Sequence, residues 1–218
     1  MSHTLVSADE FAAIDGLNDW RFLLGAIHAH FRAGSFSAAA TLVGAIAVAA
    51  DAAEHHPDLD LRYRDRVHVV LTTHAAGGLT ALDTQLAAEI SRLAAAAGAI
   101  AEPTVSQATE IAIDTLDADR IRPFWAAVLG YVQSNGNLVD PLRIGPSLWF
   151  QQMDAPREQR DRFHIDVTVP HDIADQRVAL ALAAGGTLMT DKFAQSWWVL
   201  ADADGNEACV CTSQDPQR

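Results

Sequence analysis

The residue pattern of this chain changes near residue 100, and that change limits the folds open to it. An alanine-rich helical segment, residues 86–99, gives way to the polar, proline-bearing segment 101–107. Such a segment between two apolar blocks is typical of a boundary between compact units. With 218 residues the chain is long enough for two small domains. We therefore predict one domain over residues 1–100, a linker over 101–108 and a second domain over 109–218.

The first half alternates helices with short apolar strands, which predicts an α+β fold. Ser7, Ser35 and Thr80 stand where helix N-caps are expected, and Thr80 with Asp83 resembles a capping box. Alternating apolar positions and β-branched residues indicate the strands. The predicted helices cover residues 7–14, 35–53 and 80–98, and the predicted strands cover residues 20–31, 59–61 and 67–74.

Composition and charge exclude several classes of partner. The formal net charge is −13 with no basic run, so the chain should repel nucleic acid and anionic membrane surfaces. The longest apolar stretch, residues 38–50, is shorter than the roughly 20 residues of a membrane span. Cys209 and Cys211 would point to the same side of a strand, which is poor geometry for a mutual disulfide. The N-terminal residues lack the features of a signal peptide. We therefore expect a cytoplasmic protein with no nucleic-acid or membrane partner.

One stretch after the first long helix concentrates groups that exchange protons. Asp51 and His55 are four residues apart, so on a helix they share a face, where the carboxylate can fix the imidazole tautomer. Pro57 is expected to stop this helix after His56. His74 ends a predicted strand before a Gly-Gly turn, where a loop can face a cleft. Three imidazoles suit a reaction that needs an acid and a base, although they could also hold zinc, and the spacing does not decide between the two.

This pattern resembles the signature of the pterin-4a-carbinolamine dehydratases, over about residues 5–98. The matching residues are Asp51, His55, His56, Pro57, Tyr63, Thr73, His74, Gly78, Leu79, Thr80 and Asp83. The spacing departs once, because ten residues separate Tyr63 from His74 where the family has nine. An extra residue in the hairpin at 64–66 would absorb this difference. The resemblance implies an antiparallel sheet with three helices.

The resemblance also implies a site and a reaction. Three histidines form the pterin site of that family, and they correspond to His55, His56 and His74 as catalytic residues here. Asp51, Pro57 and Trp20 correspond to substrate-binding residues, with the tryptophan against the pterin. The implied reaction is loss of the 4a-hydroxyl of a carbinolamine tetrahydropterin, giving the quinonoid dihydropterin without metal or other cofactor. We expect His55 and His74 to move the protons, and the sequence does not assign which is the acid.

The second half contains one order of elements twice, a strand and a helix followed by further strands. The first strand and helix are predicted at 111–116 and 119–129, and the second pair at 163–169 and 172–184, which indicates an internal duplication. Four motifs of this half stand at Phe124-Trp125, Leu148–Gln151, Arg162–Asp166 and 202–207. Together they resemble those of proteins with the glyoxalase-like, vicinal-oxygen-chelate fold. That resemblance implies paired βαβββ modules around a pocket.

Metal-dependent members of that fold place a histidine or glutamate on each of four strands. The corresponding strands here offer His164, Gln151, Cys209 and, among apolar residues, Asp114. One imidazole falls short of the three or four protein ligands that zinc or iron generally needs. We therefore predict no bound metal, and a small molecule held in an apolar pocket. The aromatic candidates for its lining are Trp149, Phe150, Trp197 and Trp198.

A small domain with one sheet cannot easily cover both faces and edges with three helices, so we predict a homo-oligomer through the first domain. His28, His30 and His68 are expected at a surface or interface, since His68 lies six residues, about 20 Å, from His74 along a strand. Two other functions stay open. The chain could be a non-catalytic regulatory protein that binds a pterin or another small molecule. Alternatively, its second half could be the enzyme, with the first half serving only for oligomerisation. The three-histidine set favours the dehydratase.

Overall fold

The computed structural model describes residues 4–155, 165–169 and 173–212. The chain divides into two compact units, Met1–Ala108 and Thr109–Arg218. Within the described ranges, no helix is both long and apolar enough to cross a membrane.

The first unit contains three α-helices and a five-stranded antiparallel sheet. The sheet has the strand order β1-β2-β4-β3, with β5 also pairing with β2. Its elements are α1 (Ala8–Ala12), β1 (Trp20–Leu23), β2 (Ala26–Arg32), α2 (Phe36–Ala52), β3 (Asp58–Arg62), β4 (Arg66–Leu71), α3 (Ala81–Ala96) and β5 (Ile100–Ala101). This is the α+β architecture expected for the first half.

Local signals in the sequence place the helix ends correctly. The side chain of Ser35 accepts a hydrogen bond from the backbone N–H of Ala38 at the start of α2. Thr80 and Asp83 form the predicted capping box of α3. Gly98 follows the end of α3 with a φ of 69°, the left-handed conformation that glycine adopts without steric cost.

The prediction of a single strand over residues 20–31 is wrong, because these residues form a hairpin of β1 and β2. Leu24 and Gly25 both have positive φ angles, 49° and 82°, and they form the two-residue turn. A leucine is unusual in this conformation, so only Gly25 marked the turn in the sequence. The strand predicted over residues 67–74 also ends early, at Leu71.

Alternation along β2 and β4 separates a core face from an open face of this sheet. Ile27, Ala29, Val67, Val69 and Leu71 have no solvent exposure and belong to one apolar cluster that includes residues of α2 and α3. Successive side chains of a strand point to opposite faces, so the intervening residues form the open face. That face is polar.

Part of the predicted linker is attached to the first unit. The backbone N–H of Glu102 donates to the carbonyl of His30 at 2.8 Å. The carboxylate of Glu102 pairs with Arg32 at 3.2 Å and with Arg66 at 3.0 Å. These contacts and the pairing of β5 with β2 tie residues 100–102 to the sheet, which the polar composition of the segment did not indicate.

The second unit contains two modules of the same order, as the duplication predicted. The first is β6 (Glu110–Thr115), α4 (Ala118–Leu129), β7 (Val132–Ser134), β8 (Asn137–Val139) and β9 (Ser147–Gln152). The second is β10 (Ile165–Thr168), α5 (Ala174–Ala183), β11 (Thr187–Thr190), β12 (Trp197–Ala201) and β13 (Glu207–Cys211). Each forms a four-stranded sheet, ordered β6-β9-β8-β7 and β10-β13-β12-β11. The buried Trp125 of α4 donates to Asp202 of the other module at 2.9 Å, which links the two modules.

Candidate functional site

Helix α2 ends before the histidine pair, which changes the predicted partners of both imidazoles. Glu54 has a φ of 49°, and the backbone N–H of His55 donates to the carbonyl of Ala50 at 3.1 Å, an arrangement that closes a helix C-terminus. The helix therefore ends at Ala52, and the prediction that Pro57 ends it after His56 is wrong. His55 therefore lies beyond the helix and does not share a helical face with Asp51.

Asp51 instead pairs with His56. Its Oδ1 atom lies 3.0 Å from Nε2 of His56, and both side chains are exposed, at 78% and 65%. The expected contact between Asp51 and His55 is therefore corrected. An exposed pair of this kind is screened by water and orients the imidazole only weakly.

His55 lies against the buried carboxylate of Asp83, a residue that the sequence indicates only as a helix cap and as a position of the family signature. Nε2 of His55 is 2.6 Å from Oδ1 of Asp83, whose side chain has no solvent exposure. Oδ2 of Asp83 accepts hydrogen bonds at 2.7 Å from the backbone N–H of Thr80 and from the hydroxyl of Thr73. Since a carboxylate accepts, Nε2 of His55 carries the donated proton, and its Nδ1 has a free lone pair when the ring is neutral.

The carboxylate of Asp83 also holds the segment that carries His74. Thr73, whose hydroxyl binds Asp83, directly precedes His74, which begins a single 3₁₀ turn over His74–Ala76. Gly77 closes that turn with a φ of 69°. The imidazole of His74 is exposed. Asp83 thus connects the segment that carries His55 and His56 with the segment that carries His74.

Two of the other predicted substrate contacts differ in their surroundings. Trp20 is only 1% exposed, packs edge-on against Phe31 and donates from its indole N–H to the hydroxyl of Ser91 at 3.1 Å. These contacts are those of a core residue, and the role of Trp20 in substrate binding stays a prediction. Pro57 is half-buried directly before β3.

In the second unit, the aromatic residues suggested for a pocket divide between two sides of the strands. Trp198 is 7% exposed and lies in the core, and Phe150 packs against that core. Trp149 and Trp197 are their neighbours in sequence and point to the opposite sides of β9 and β12. Trp197 stacks on Phe193 with ring centroids 4.4 Å apart. Only Trp149 and Trp197 therefore remain as candidates for the lining.

The positions suggested for metal ligands do not assemble into a metal site in the described part of the chain. Asp114 of β6 and Gln151 of β9 are directly opposite each other, and Cys209 lies buried on β13. Among the described residues, no group of three or more histidine, cysteine, aspartate or glutamate side chains could hold a metal ion. His164 lies outside the described residues.

Comparison with known proteins gives the family of the first unit. The family model for pterin 4 alpha carbinolamine dehydratase matches residues 4–93. A curated protein of Nocardia farcinica, provisionally named a pterin-4-alpha-carbinolamine dehydratase, is 44% identical over 95 residues, which are 43% of this chain and 99% of that protein. The chain belongs to the pterin-4-alpha-carbinolamine dehydratase family. A relative of the same provisional name from Chloroflexus aurantiacus is 48% identical over 75 residues, 34% of this chain and 80% of that protein.

The second unit has its own match. The family model for a glyoxalase-like domain matches residues 110–211. The crystal structure of a glyoxalase/bleomycin resistance protein/dioxygenase family enzyme from Burkholderia phytofirmans is 20% identical, with a TM-score of 0.40 over 49% of this chain and 98% of that one. The family-model matches thus place a glyoxalase-like domain at residues 110–211, after the part of the chain that matches the dehydratase family, as both resemblances implied.

Proposed function

We propose that the first unit removes water from a 4a-hydroxytetrahydropterin and releases the quinonoid dihydropterin. In this reaction the C4a–O bond breaks, N5 loses its proton, and a C4a=N5 double bond forms as water leaves. One group must accept the N5 proton and another must donate a proton to the departing hydroxyl. The proposal rests on family membership and on one observation, the contact between His55 and buried Asp83.

The geometry around Asp83 favours His55 as the base. Its Nε2 faces Asp83, so Nδ1 is the atom free to accept the proton from N5, and the carboxylate stabilises the imidazolium that forms. The exposed imidazole of His74 is then the group that protonates the leaving hydroxyl. His56, held by exposed Asp51, contacts the substrate beside them. Neither a metal nor another cofactor takes part in these steps.

A stopped-flow dehydration assay on the whole chain tests this proposal. With a 4a-carbinolamine tetrahydropterin as substrate, His74→Ala should lower the catalysed rate by about 10² to 10⁴, the usual range for loss of a general acid or base. A chelator should leave the wild-type rate unchanged. Pterin binding without any increase of rate over the uncatalysed reaction would instead support a non-catalytic binding protein, and strong inhibition by chelator would reveal a metal site.

We further propose that the glyoxalase-like unit binds a small molecule without a metal. Trp149 and Trp197 offer apolar rings on the sides of their strands away from the core, and Gln151 offers an amide beside the first of them. Such surroundings suit a flat or apolar ligand. Cys209 and Cys211 are not joined in a disulfide, which fits a reducing compartment and is the reason for proposing a cytoplasmic location.

A further inference from the structure

Three histidines lie side by side on the open face of the first sheet, outside the candidate site. His30 of β2 and His68 of β4 are directly opposite each other, and their rings stack with centroids 4.2 Å apart and planes 5° apart. His28 lies two residues away on β2, with its Nδ1 atom 3.2 Å from Nε2 of His68. We call these three residues the imidazole array.

The contacts of the array require imidazoles that are not all protonated. Nδ1 of His68 lies 3.4 Å from Oδ2 of Asp60, so its proton points to that carboxylate, and Nε2 can accept from Nδ1 of His28. If both rings were protonated, two N–H groups would face each other across this 3.2 Å contact. The two rings would then have to separate.

The charged groups around the array carry no excess negative charge that would favour protonation of the imidazoles. On the same face, β1 contributes Arg21, β2 contributes Arg32, β3 contributes Asp58, Asp60 and Arg62, and β4 contributes Arg66. Asp60 is already bound by Arg62 at 3.2 Å, and Glu102, which follows β5, is bound by Arg32 and Arg66. The four arginines therefore outnumber the three carboxylates before any imidazole is charged.

The proton affinities agree with this geometry. Burial, followed by the proximity of His68 and His30, lowers the pKa of His28 from 6.5 to about 4. Burial and the proximity of His68 lower the pKa of His30 to about 4 as well. Burial also lowers the pKa of His68, although Asp60 opposes that shift.

We propose that the imidazole array is a proton-sensitive lock on the open face of the first sheet, closed when its rings are neutral and opened when they take up protons. The array crosses β2 and β4 and reaches β3 through Asp60, so its opening weakens the pairing of the central strands. This role is separate from the proposed dehydration, and it holds whether or not the first unit turns over a pterin.

The sign of the pH effect follows from the three lowered pKa values. The unfolded chain takes up protons on these imidazoles as the pH falls below about 6.5, whereas the folded unit does not until the pH approaches 4. Stability is therefore greatest above that range and is lost on acidification. For one imidazole with these two pKa values, the equilibrium constant for unfolding rises by about 20-fold between pH 7 and pH 5.

Urea unfolding of the full chain at pH 7 and pH 5 tests the lock, followed by NMR through the amides of Ala29 and Val69. These probes report on the first unit alone, which matters because two units need not unfold together. The double variant is His30→Phe/His68→Gln. The phenylalanine provides an aromatic ring that cannot be protonated, and the glutamine replaces the imidazole of His68 with an amide. The acid-induced rise of the unfolding constant should be at least about tenfold smaller than in the wild type. His56→Gln removes an imidazole outside the array and should keep the wild-type acid loss.

Equal acid loss in the double variant and the wild type would overturn the proposal. NMR titration of the wild-type imidazoles gives a second measurement that does not depend on a variant folding. His28 and His30 should remain neutral to below pH 5, and titration of both rings near pH 6.5 would equally overturn the lock.

Discussion

At the scale of single residues, the candidate site depends on a carboxylate that touches no solvent. Asp83 accepts from Thr73 and Thr80 and lies 2.6 Å from His55, so four groups from three chain segments hold one another in place. Burying an ionisable group is costly unless it is paired and hydrogen-bonded, and these contacts meet that condition. A carboxylate fixed in this way can hold an imidazole in one orientation and one tautomer.

Replacing Asp83 with asparagine tests this positioning role. Asp83→Asn keeps the size of the side chain but offers an amide in place of the carboxylate, so the tautomer of His55 is no longer enforced. We expect kcat for dehydration to fall on the order of 10²-fold with a smaller change of KM.

Two control variants separate positioning from general damage. Thr80→Ala removes the capping hydroxyl of α3, at a cost of about 1 kcal/mol, but leaves the contact between His55 and Asp83. It should lower stability more than kcat. Asp51→Asn alters only the exposed partner of His56 and should have the weaker effect on kcat. If Asp83→Asn matched Asp51→Asn in both kcat and KM, Asp83 would have no positioning role.

At the scale of elements, helix α2 is unusual because it carries no charged residue from Phe36 to Ala50. One side of the helix packs into the core through Ala39, Leu42 and Ile46. The other side leaves Phe36 57% exposed and Val48 70% exposed. A helix that faces water on one side normally carries charged residues there. This surface therefore supports the proposal that the first unit forms a homo-oligomer.

Light scattering on the full chain tests the oligomer. We expect a mass of at least twice 23.4 kDa at micromolar concentration. Val48→Glu should shift the mass toward that of the monomer, because a buried charge without a partner is unfavourable in an interface. Val105→Glu places the same charge at another exposed position of the first unit, outside α2, and should leave the mass unchanged. A wild-type mass of 23.4 kDa would contradict the proposal.

At the scale of the whole molecule, two units with separate cores have been joined in one chain. The core of the first contains residues from Phe11 to Ala94, and the core of the second contains residues from Ile121 to Val210. Each unit thus has the apolar cluster that a domain of about a hundred residues needs. The proposed chemistry of each unit, acid–base catalysis in the first and small-molecule binding in the second, uses only residues of that unit.

Metal analysis of the full chain tests the proposed chemistry of both units at once. Protein purified without a chelator should contain far less than one equivalent of zinc, nickel or iron, because the described residues of neither unit combine enough ligands for a stable site. Stoichiometric metal that is lost in His164→Ala would show that the glyoxalase-like unit holds a metal. Loss in His55→Ala instead would place it in the dehydratase unit.

Sequence patterns alone determined the main features of this protein. The change of pattern near residue 100, the caps at Ser35 and Thr80 and the repeated order of elements predicted two α+β halves, because these signals act within a few residues of the chain. The histidine positions identified the family for a similar reason, since residue type and spacing are directly visible in a sequence.

Tertiary structure alone decided which groups face each other. The end of α2 depends on the left-handed conformation of Glu54, and that residue type rarely predicts it. Because of this one turn, Asp51 contacts His56 in place of His55, and His55 contacts the buried Asp83. Asp83 is 28 residues from His55 along the chain, and Ser91, which accepts the hydrogen bond of the Trp20 indole, is 71 residues from that tryptophan. Contacts between residues so far apart in sequence form only when the helices pack on the sheet, so no local pattern contains them.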